Sequence, residues 1–565
     1  MKSIKVLFVF SACIAIITCR ESPAAGYYVS PSGNDINSGA STETAWRTLD
    51  KVNAIDLNPG DRVLLEGGYD YSGNLLLTAE DAGTSEHPVV VGSYGRGRAR
   101  IKAGDGSGVT VLNAGGVVVE NLIVMGTDYR TNVGSGIKIV NTLPNNQKLR
   151  YVRVHNVEAA GFGREKDPAP EGLQPPGGCG IFVGGHACDK SKSGYSNVRI
   201  TNCVTYQNEY FGILITGYWQ DDPDTYANRN VYVGNCRVYD NPGDPNYLEN
   251  HSGSGVLMED VDSGVIEYCE AYNNGYDCNC RLGGPVGIWA AVADNVIIQY
   301  CESHHNRTVV LDGGGFDFDG GTTNSIMQYN YSHDNAGPGY LICSYMNAPH
   351  SFRDNTVRYC ISVNDNCGIR FWCGSPKDDP IESTHIYGNT IYAASGPAIS
   401  LGAKNGIYNT KVHNNLFIAA NNQKLVEGNP DRSMAIFAGN AYWTVDGQFN
   451  IGRYKSLEDW REATGQEMLN GKPVGLAVDP RLTDMGKSIT IGDPAKLATL
   501  PVYRLQKKSP LIDAGLDLRA LFGIDPGNRD FFGNSIPQGK GYDIGAHEIV
   551  SGNTLATREI ERTKP

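Results

Sequence analysis

The chain has 565 residues, a formal net charge of −13 and 40% hydrophobic residues, 31 tyrosines among them. That apolar share excludes a disordered chain, and the acid excess excludes a basic nucleic-acid binder, so no nucleic-acid partner is expected. Gly (69) and Pro (27) make up about 17% of the chain, against a usual sum of roughly 12%. There is no Gly-X-Y period, so the excess means many turns and not collagen.

In chain order, residues 1–18 read as a signal peptide: Lys2 and Lys5 precede the apolar stretch from Val6 to Ile17. Ile16-Ile17-Thr18-Cys19 resembles a relaxed bacterial lipobox, which makes Cys19 the predicted lipidated residue. The alternative is ordinary cleavage near Ala24-Ala25. Either way the protein is expected to be exported, as a cell-surface or periplasmic lipoprotein of a Gram-negative bacterium or otherwise as a secreted protein. No later apolar run reaches 18 residues, so membrane contact is expected only through a lipid anchor. Residues 26–110 are assigned to an N-terminal cap and the first repeat units; Trp46, Leu49, Val52 and Ile55 there have helical spacing.

Residues 111–426 carry a repeat. The segments Ile200-Thr-Asn-Cys203, Val233-Gly-Asn-Cys236, Ile266-Glu-Tyr-Cys269, Ile298-Gln-Tyr-Cys301 and Val357-Arg-Tyr-Cys360 align, and Asn330, Asn389 and Asn415 take the Cys place in three further units. The steps from residue 203 onward are 33, 33, 32, 29, 30, 29 and 26 residues. Each unit also holds a Gly followed by a short β pattern, as in Gly212-Ile-Leu-Ile, Gly287-Ile-Trp-Ala and Gly315-Phe-Asp-Phe. Short strands, Asn- and Gly-rich turns and a period near 30 predict an all-β solenoid whose units bury their apolar faces only by stacking. The five ladder cysteines are then core thiols. Cys179 with Cys188 remains open as a disulfide pair, and Cys278 with Cys280 as a disulfide pair or as metal ligands. Residues 427–550 lose the repeat and are expected to cap the C-terminal end or fold back along the side; 551–565 form a polar tail. The oligomeric state is left open.

Alternation along a strand fixes which side chains point out. In the Gly-led strands the first and third residues after Gly are apolar and face inward. The second and fourth face outward. This puts Asp317 and Asp319 on one strand, about 7 Å apart at Cα, with Asp312 in the preceding turn. Trp289 is expected one unit to one side, and Arg370 and Trp372 two units to the other. Glu259 lies two units from Asp319 in the same column, and His251 is expected to reach the cleft. Trp219, in the insertion 217–229, is expected to form a cleft wall.

Paired carboxylates beside aromatic plates suit glycosidic hydrolysis: one carboxyl protonates the leaving oxygen, and the other attacks the anomeric carbon or activates water. Asp312, Asp317 and Asp319 are the catalytic candidates. Glu259, Trp289, Arg370, Trp372, Trp219 and His251 are candidates for substrate binding. No metal-ligand set is assigned and no cofactor is required, although a structural calcium among the aspartates is a competing use of the same residues.

The repeat, the opening Tyr27-Tyr-Val-Ser-Pro-Ser-Gly-Asn-Asp and the closing Gly541-Tyr-Asp-Ile-Gly-Ala-His-Glu together resemble the right-handed parallel β-helix proteins of the pectate-lyase-like superfamily, over roughly residues 26–550. That resemblance implies the fold: a parallel β-helix with an N-terminal helix cap and an irregular C-terminal cap. The acidic segment from Asp312 to Asp319 resembles the glycosidase family that contains β-helix lacto-N-biosidases, which implies Asp312 and Asp319 as the pair. The expected function is hydrolysis of an extracellular poly- or oligosaccharide, so the expected partner is a carbohydrate. A calcium-assisted polysaccharide lyase and a non-catalytic glycan-binding surface protein are the alternatives.

Overall fold

The computed structural model describes residues 24–164, 177–218, 225–402 and 406–550. Each repeat unit forms one coil of three strands, and strands of successive coils pair in parallel. One register runs Val256, Ile288, Phe316, Tyr340, Ile369, Ile399. The Gly-led strands make the first face. The strands that precede the Cys/Asn ladder make the second, and both belong to one 24-stranded sheet because Ser254–Glu267 and Val286–Gln299 bend through the two faces. Three- to five-residue strands, such as Val204–Tyr206 and Glu302–His304, make up most of the third face, a 14-stranded sheet. The fold is a right-handed parallel β-helix.

The corners follow from local chemistry. Before each ladder position one residue is left-handed, among them Asn202 (φ 55°), Asn235 (54°) and Tyr300 (52°). Four of the five ladder thiols then donate to a carbonyl one coil back, among them Cys236 to Ile200 O at 3.7 Å and Cys301 to Ile266 O at 3.8 Å. Where Asn replaces Cys the amide does the same; Asn330 Nδ2 reaches Ile298 O at 2.8 Å. A second ladder, Asn208, Asn241, Asn274, Asn306 and Asn335, turns the next corner and ends on Asp365. The leading glycines are set by space. A Cβ on Gly287 would lie 2.1 Å from Ser303 Oγ, and one on Gly315 would lie 2.3 Å from Ser332 Oγ.

At the N-terminal end the helix Leu49–Asn53 is capped by the Thr48 hydroxyl, and Trp46, Leu49 and Val52 are buried in the core. At the other end the coils run past residue 426. Ala435 pairs with Thr410, Ala441 with Leu416, and Leu476 with Ala441. Alanines replace Val and Ile in these last strands and mask the repeat, but Asn440 continues the ladder to Val412 O at 2.8 Å. Helix Leu457–Thr464 closes this end, with Trp460 edge-on to Phe437 and Tyr442. The remaining chain folds back along the flank, where Ala546 N donates to Thr390 Oγ1 at 2.9 Å and Ile491 N to Glu302 at 2.7 Å. The twelve cysteines of the described residues are free thiols, so neither Cys179–Cys188 nor Cys278–Cys280 is bonded. Among the described residues no helix is long and apolar enough to cross a membrane.

Candidate active site

Strand Gly314–Phe318 places the acids. Phe316 and Phe318 point inward and are fully buried, and Phe316 stacks on Tyr340 at 5.3 Å. That anchoring turns Asp317 outward, in register between Trp289 and Leu341. Asp319 follows the strand. Its N–H donates to Ala290 O at 2.9 Å, which carries the register on. Glu259, two coils from Asp319, pairs with Ala291 of the coil between them, and Cys343 and Trp372 pair on the other side. Asp312 sits in the turn before the strand with φ 59°, in the left-handed region that Asp tolerates better than most residues.

The three aspartates feel one another. Burial pushes Asp317 well above the usual carboxylate range, and the charges of Asp319 and Asp312 push it further. Asp317 is 2% exposed, and its Oδ1 has no hydrogen-bond partner. Asp319 is raised to about 6 by burial, opposed by hydrogen bonds from the Cys343 thiol and from Gly320 N, the latter at 2.8 Å. Asp312 is also raised by burial, against a backbone hydrogen bond from Gly284 and the charge of Arg370. Glu259 reaches about 7 by burial, although the Thr216 hydroxyl donates to it. A group of carboxyls with raised and unequal proton affinities is suited to passing protons near neutral pH.

Tyr345, two positions past Cys343, was not singled out by the sequence reading. A Cβ on Gly320 would lie 2.6 Å from its ring, so the phenol packs directly on the backbone after Asp319. The charges of Asp319 and Glu259 act on it, so it belongs to the site. The extrapolated outward alternation 341, 343, 345 is the signal that would have found it. Arg370 is half-buried between Asp312 and Glu427, whose charges it favours, and hydrogen-bonds Cys367. Trp372 is 50% exposed.

Two expectations are corrected. Trp289 does face outward, but it is only 3% exposed, in a second apolar cluster with Phe182, Phe211, Leu214 and Leu257. The outward positions of four consecutive coils are apolar, so they are covered rather than left in water. His251 packs edge-on against Trp289 and Phe211 at 5.1 and 5.7 Å as part of that cover, and burial lowers its pKa to about 4. Neither is an open plate or a proton shuttle at neutral pH. Trp219 and Cys19 lie outside the described residues.

Among the described residues, one set has metal-ligating atoms within 4.8 Å of one another: Glu302, His304 and His333, on the third face. The two imidazoles are stacked 7° from parallel, so their in-plane lone pairs do not converge on one point. Each is also hydrogen-bonded, His333 to Glu302 at 3.2 Å and His304 to Glu270 at 3.3 Å. The group is a hydrogen-bonded ladder.

The profile described as the right handed beta helix region matches residues 173–417. A lacto-N-biosidase of Bifidobacterium longum subsp. longum is 25% identical over 493 aligned residues, which cover 71% of this chain. The chain spans only 29% of that relative's length. The crystal structure of a GH136 lacto-N-biosidase from Eubacterium ramulus superposes with a TM-score of 0.50 at 19% identity, covering 76% of this chain and 68% of the other. This chain is similar to lacto-N-biosidases in sequence and shares their β-helical fold.

Proposed function

We propose that the protein is a glycoside hydrolase acting on an extracellular poly- or oligosaccharide. The observation that carries the reading is the mutually repelling trio Asp312, Asp317 and Asp319, held on one strand and its turn beside Arg370 and the exposed Trp372. The similarity to proteins named lacto-N-biosidase supports the same class. In this reading Asp319, raised to about 6, keeps a proton for the leaving oxygen over the acidic side of neutrality. Asp312, whose charge Arg370 favours, takes the anionic role toward the anomeric carbon or its attacking water. Asp317 stays protonated behind them, so the cluster does not carry three negative charges at once.

The test is release of reducing ends from a panel of plant, algal and host glycans, with Asp319→Asn as the control. Release by the wild type but not by Asp319→Asn is expected. A product absorbing as a 4,5-unsaturated uronate would overturn the proposal in favour of a lyase. The N-terminal reading adds that the enzyme works outside the cytoplasm, anchored through Cys19 (metabolic labelling with a fatty acid should mark the wild type and not Cys19→Ser).

A further inference from the structure

The second face carries two arginines in one column. Arg153, on strand Lys148–His155, is the register partner of Arg199, on strand Gly194–Thr201, and Tyr232 follows on strand Asn228–Gly234. Val152, Val154, Val198 and Ile200 are fully buried, so the arginines between them point outward. Arg153 is exposed and Arg199 half-buried. The Arg153 guanidinium lies 5.2 Å from the ring centre of Tyr151, and that of Arg199 lies 5.6 Å from Tyr232. Burial and the charge of Arg153 both lower the proton affinity of Arg199, so the two cations feel each other.

Like charges at paired positions of neighbouring strands repel, and the rest of this face avoids them. Arg229 faces Asp262 in register and pairs with it at 2.6 Å. The acids on either side of the column are engaged elsewhere. Glu120 pairs with Arg62 at 3.3 Å, and Glu267 accepts from the Tyr232 hydroxyl at 2.9 Å and from Gln299 at 2.7 Å. Among the described residues no carboxylate pairs with Arg153 or Arg199. Arg199 is held by neutral acceptors instead: Nη1 donates to Val198 O at 3.0 Å and to Asn230 O at 3.2 Å, and Nη2 to Asn230 Oδ1 at 3.3 Å. Its guanidinium is therefore fixed with N–H groups to spare.

We propose that this column is an oxyanion-binding site, and that its ligand is an acidic glycan whose sulfate ester or carboxylate bridges Arg153 and Arg199. Successive strands are about 4.8 Å apart, so one oxyanion reaches both guanidiniums and relieves their repulsion. Tyr151 and Tyr232, at the two ends of the column, offer ring surface to the neighbouring sugars. The chain carries a net charge of −13, so a dense polyphosphate is repelled outside the patch, whereas a glycan with sparse acid groups is not. Four coils, about 19 Å along the axis, separate Arg199 from the coil of the acidic strand, and the column is on a different face from the acids. It is therefore a second contact and no part of the candidate active site. The choice of a glycan rests on the hydrolase reading; the oxyanion does not.

The test needs no turnover. The full-length Asp319→Asn protein is titrated by calorimetry with lightly sulfated dextran, partly methyl-esterified pectin and unmodified dextran. Saturable binding to at least one acidic polymer is expected, weakening as salt is raised, with none to unmodified dextran. Adding Arg153→Ala and Arg199→Ala together should lower the affinity at least tenfold, with a melting temperature that stays level or rises because a repulsion is removed. Arg100→Ala, on the third face, should leave the affinity unchanged. Binding to the sulfated dextran alone assigns a sulfate ester, and binding to the pectin alone assigns a carboxylate. Binding to neither acidic polymer, equal binding to unmodified dextran, binding that survives the double substitution, or equal loss with Arg100→Ala would each overturn the proposal. Reducing-end release by the wild type is measured separately, so failure of this site and failure of the hydrolase reading are distinguishable.

Discussion

Glu302 and Asp317 are buried carboxylates on consecutive strands of one coil, and they are treated in opposite ways. Glu302 is fully buried and accepts from Ile491 N and Gly492 N at 2.7 Å each, with His333 at 3.2 Å. Asp317 is 2% exposed, has one oxygen with no partner and faces two further carboxyls. A buried acid whose lone pairs are met holds structure together, here the returning C-terminal segment against the third face. A buried acid left unmet costs stability, and such costs gather where chemistry is done.

The sharpest way to break this comparison is to neutralise each acid in turn. Asp319→Asn should lower the rate of reducing-end release by about 10²–10⁴-fold, as expected for loss of a proton donor. At pH 7 its melting temperature should stay level or rise, because a buried charge is removed, and that of Asp317→Asn should stay level, because a protonated acid is replaced by a neutral group of the same shape. A rate within twofold of wild type, or a fall of several degrees in either variant, would reverse the assignment. Glu302→Ala should do the opposite. It leaves His333 Nε2 and two backbone N–H groups unpaired and should cost about 3 kcal/mol, read by denaturant unfolding, with the rate per folded molecule unchanged.

Titration sharpens the same contrast. Asp319 is raised to about 6 and Glu259 to about 7, both by burial, so activity that needs the protonated acid should decline as the pH rises through this range. Their folded values lie above their unfolded ones. The stability they contribute is therefore complete below about 4 and is lost as the pH rises through 6 to 7. His333 behaves the same way for a different reason. Burial works against its charge, but Asp334 and Glu302 outweigh burial and raise it, so its contribution is present below the usual histidine range and lost above its folded value. Asp319→Asn should flatten the activity profile and the lower part of the stability profile, and leave the histidine part in place. A stability profile unchanged by the substitution would mean that Asp319 is not raised.

The solenoid and the acidic strand were legible because both are periodic. Cys203, Cys236, Cys269 and Cys301 recur at fixed steps, and two-residue alternation separates Phe316 and Phe318 from Asp317. The second ladder was just as periodic, yet Asn208, Asn241, Asn274 and Asn306 sit in turns where Asn is common for other reasons. What alternation does not carry is what lies over a face. It turned Trp289 outward correctly but gave no sign that His251 and its neighbours cover it. Tyr345 was missed because the strand pattern ends at Ser344, one residue before it.

The smallest expected effect tests the exposed half of that lesson. Trp289 and Trp372 both point away from the core, but Trp372 is 50% exposed and packs near the backbone at Gly374, where a Cβ would lie 2.6 Å from its ring. Removing so open an indole exposes little new apolar surface, so Trp372→Ala should leave the melting temperature unchanged. If it serves as a platform for a sugar unit beside Arg370, its loss removes about 1 kcal/mol of stacking. That corresponds to roughly fivefold in KM, with kcat kept because the acids are untouched. A fall in kcat at constant KM would instead put the indole against the reacting sugar, and a large fall in stability would mean that, like Trp289, it is covered.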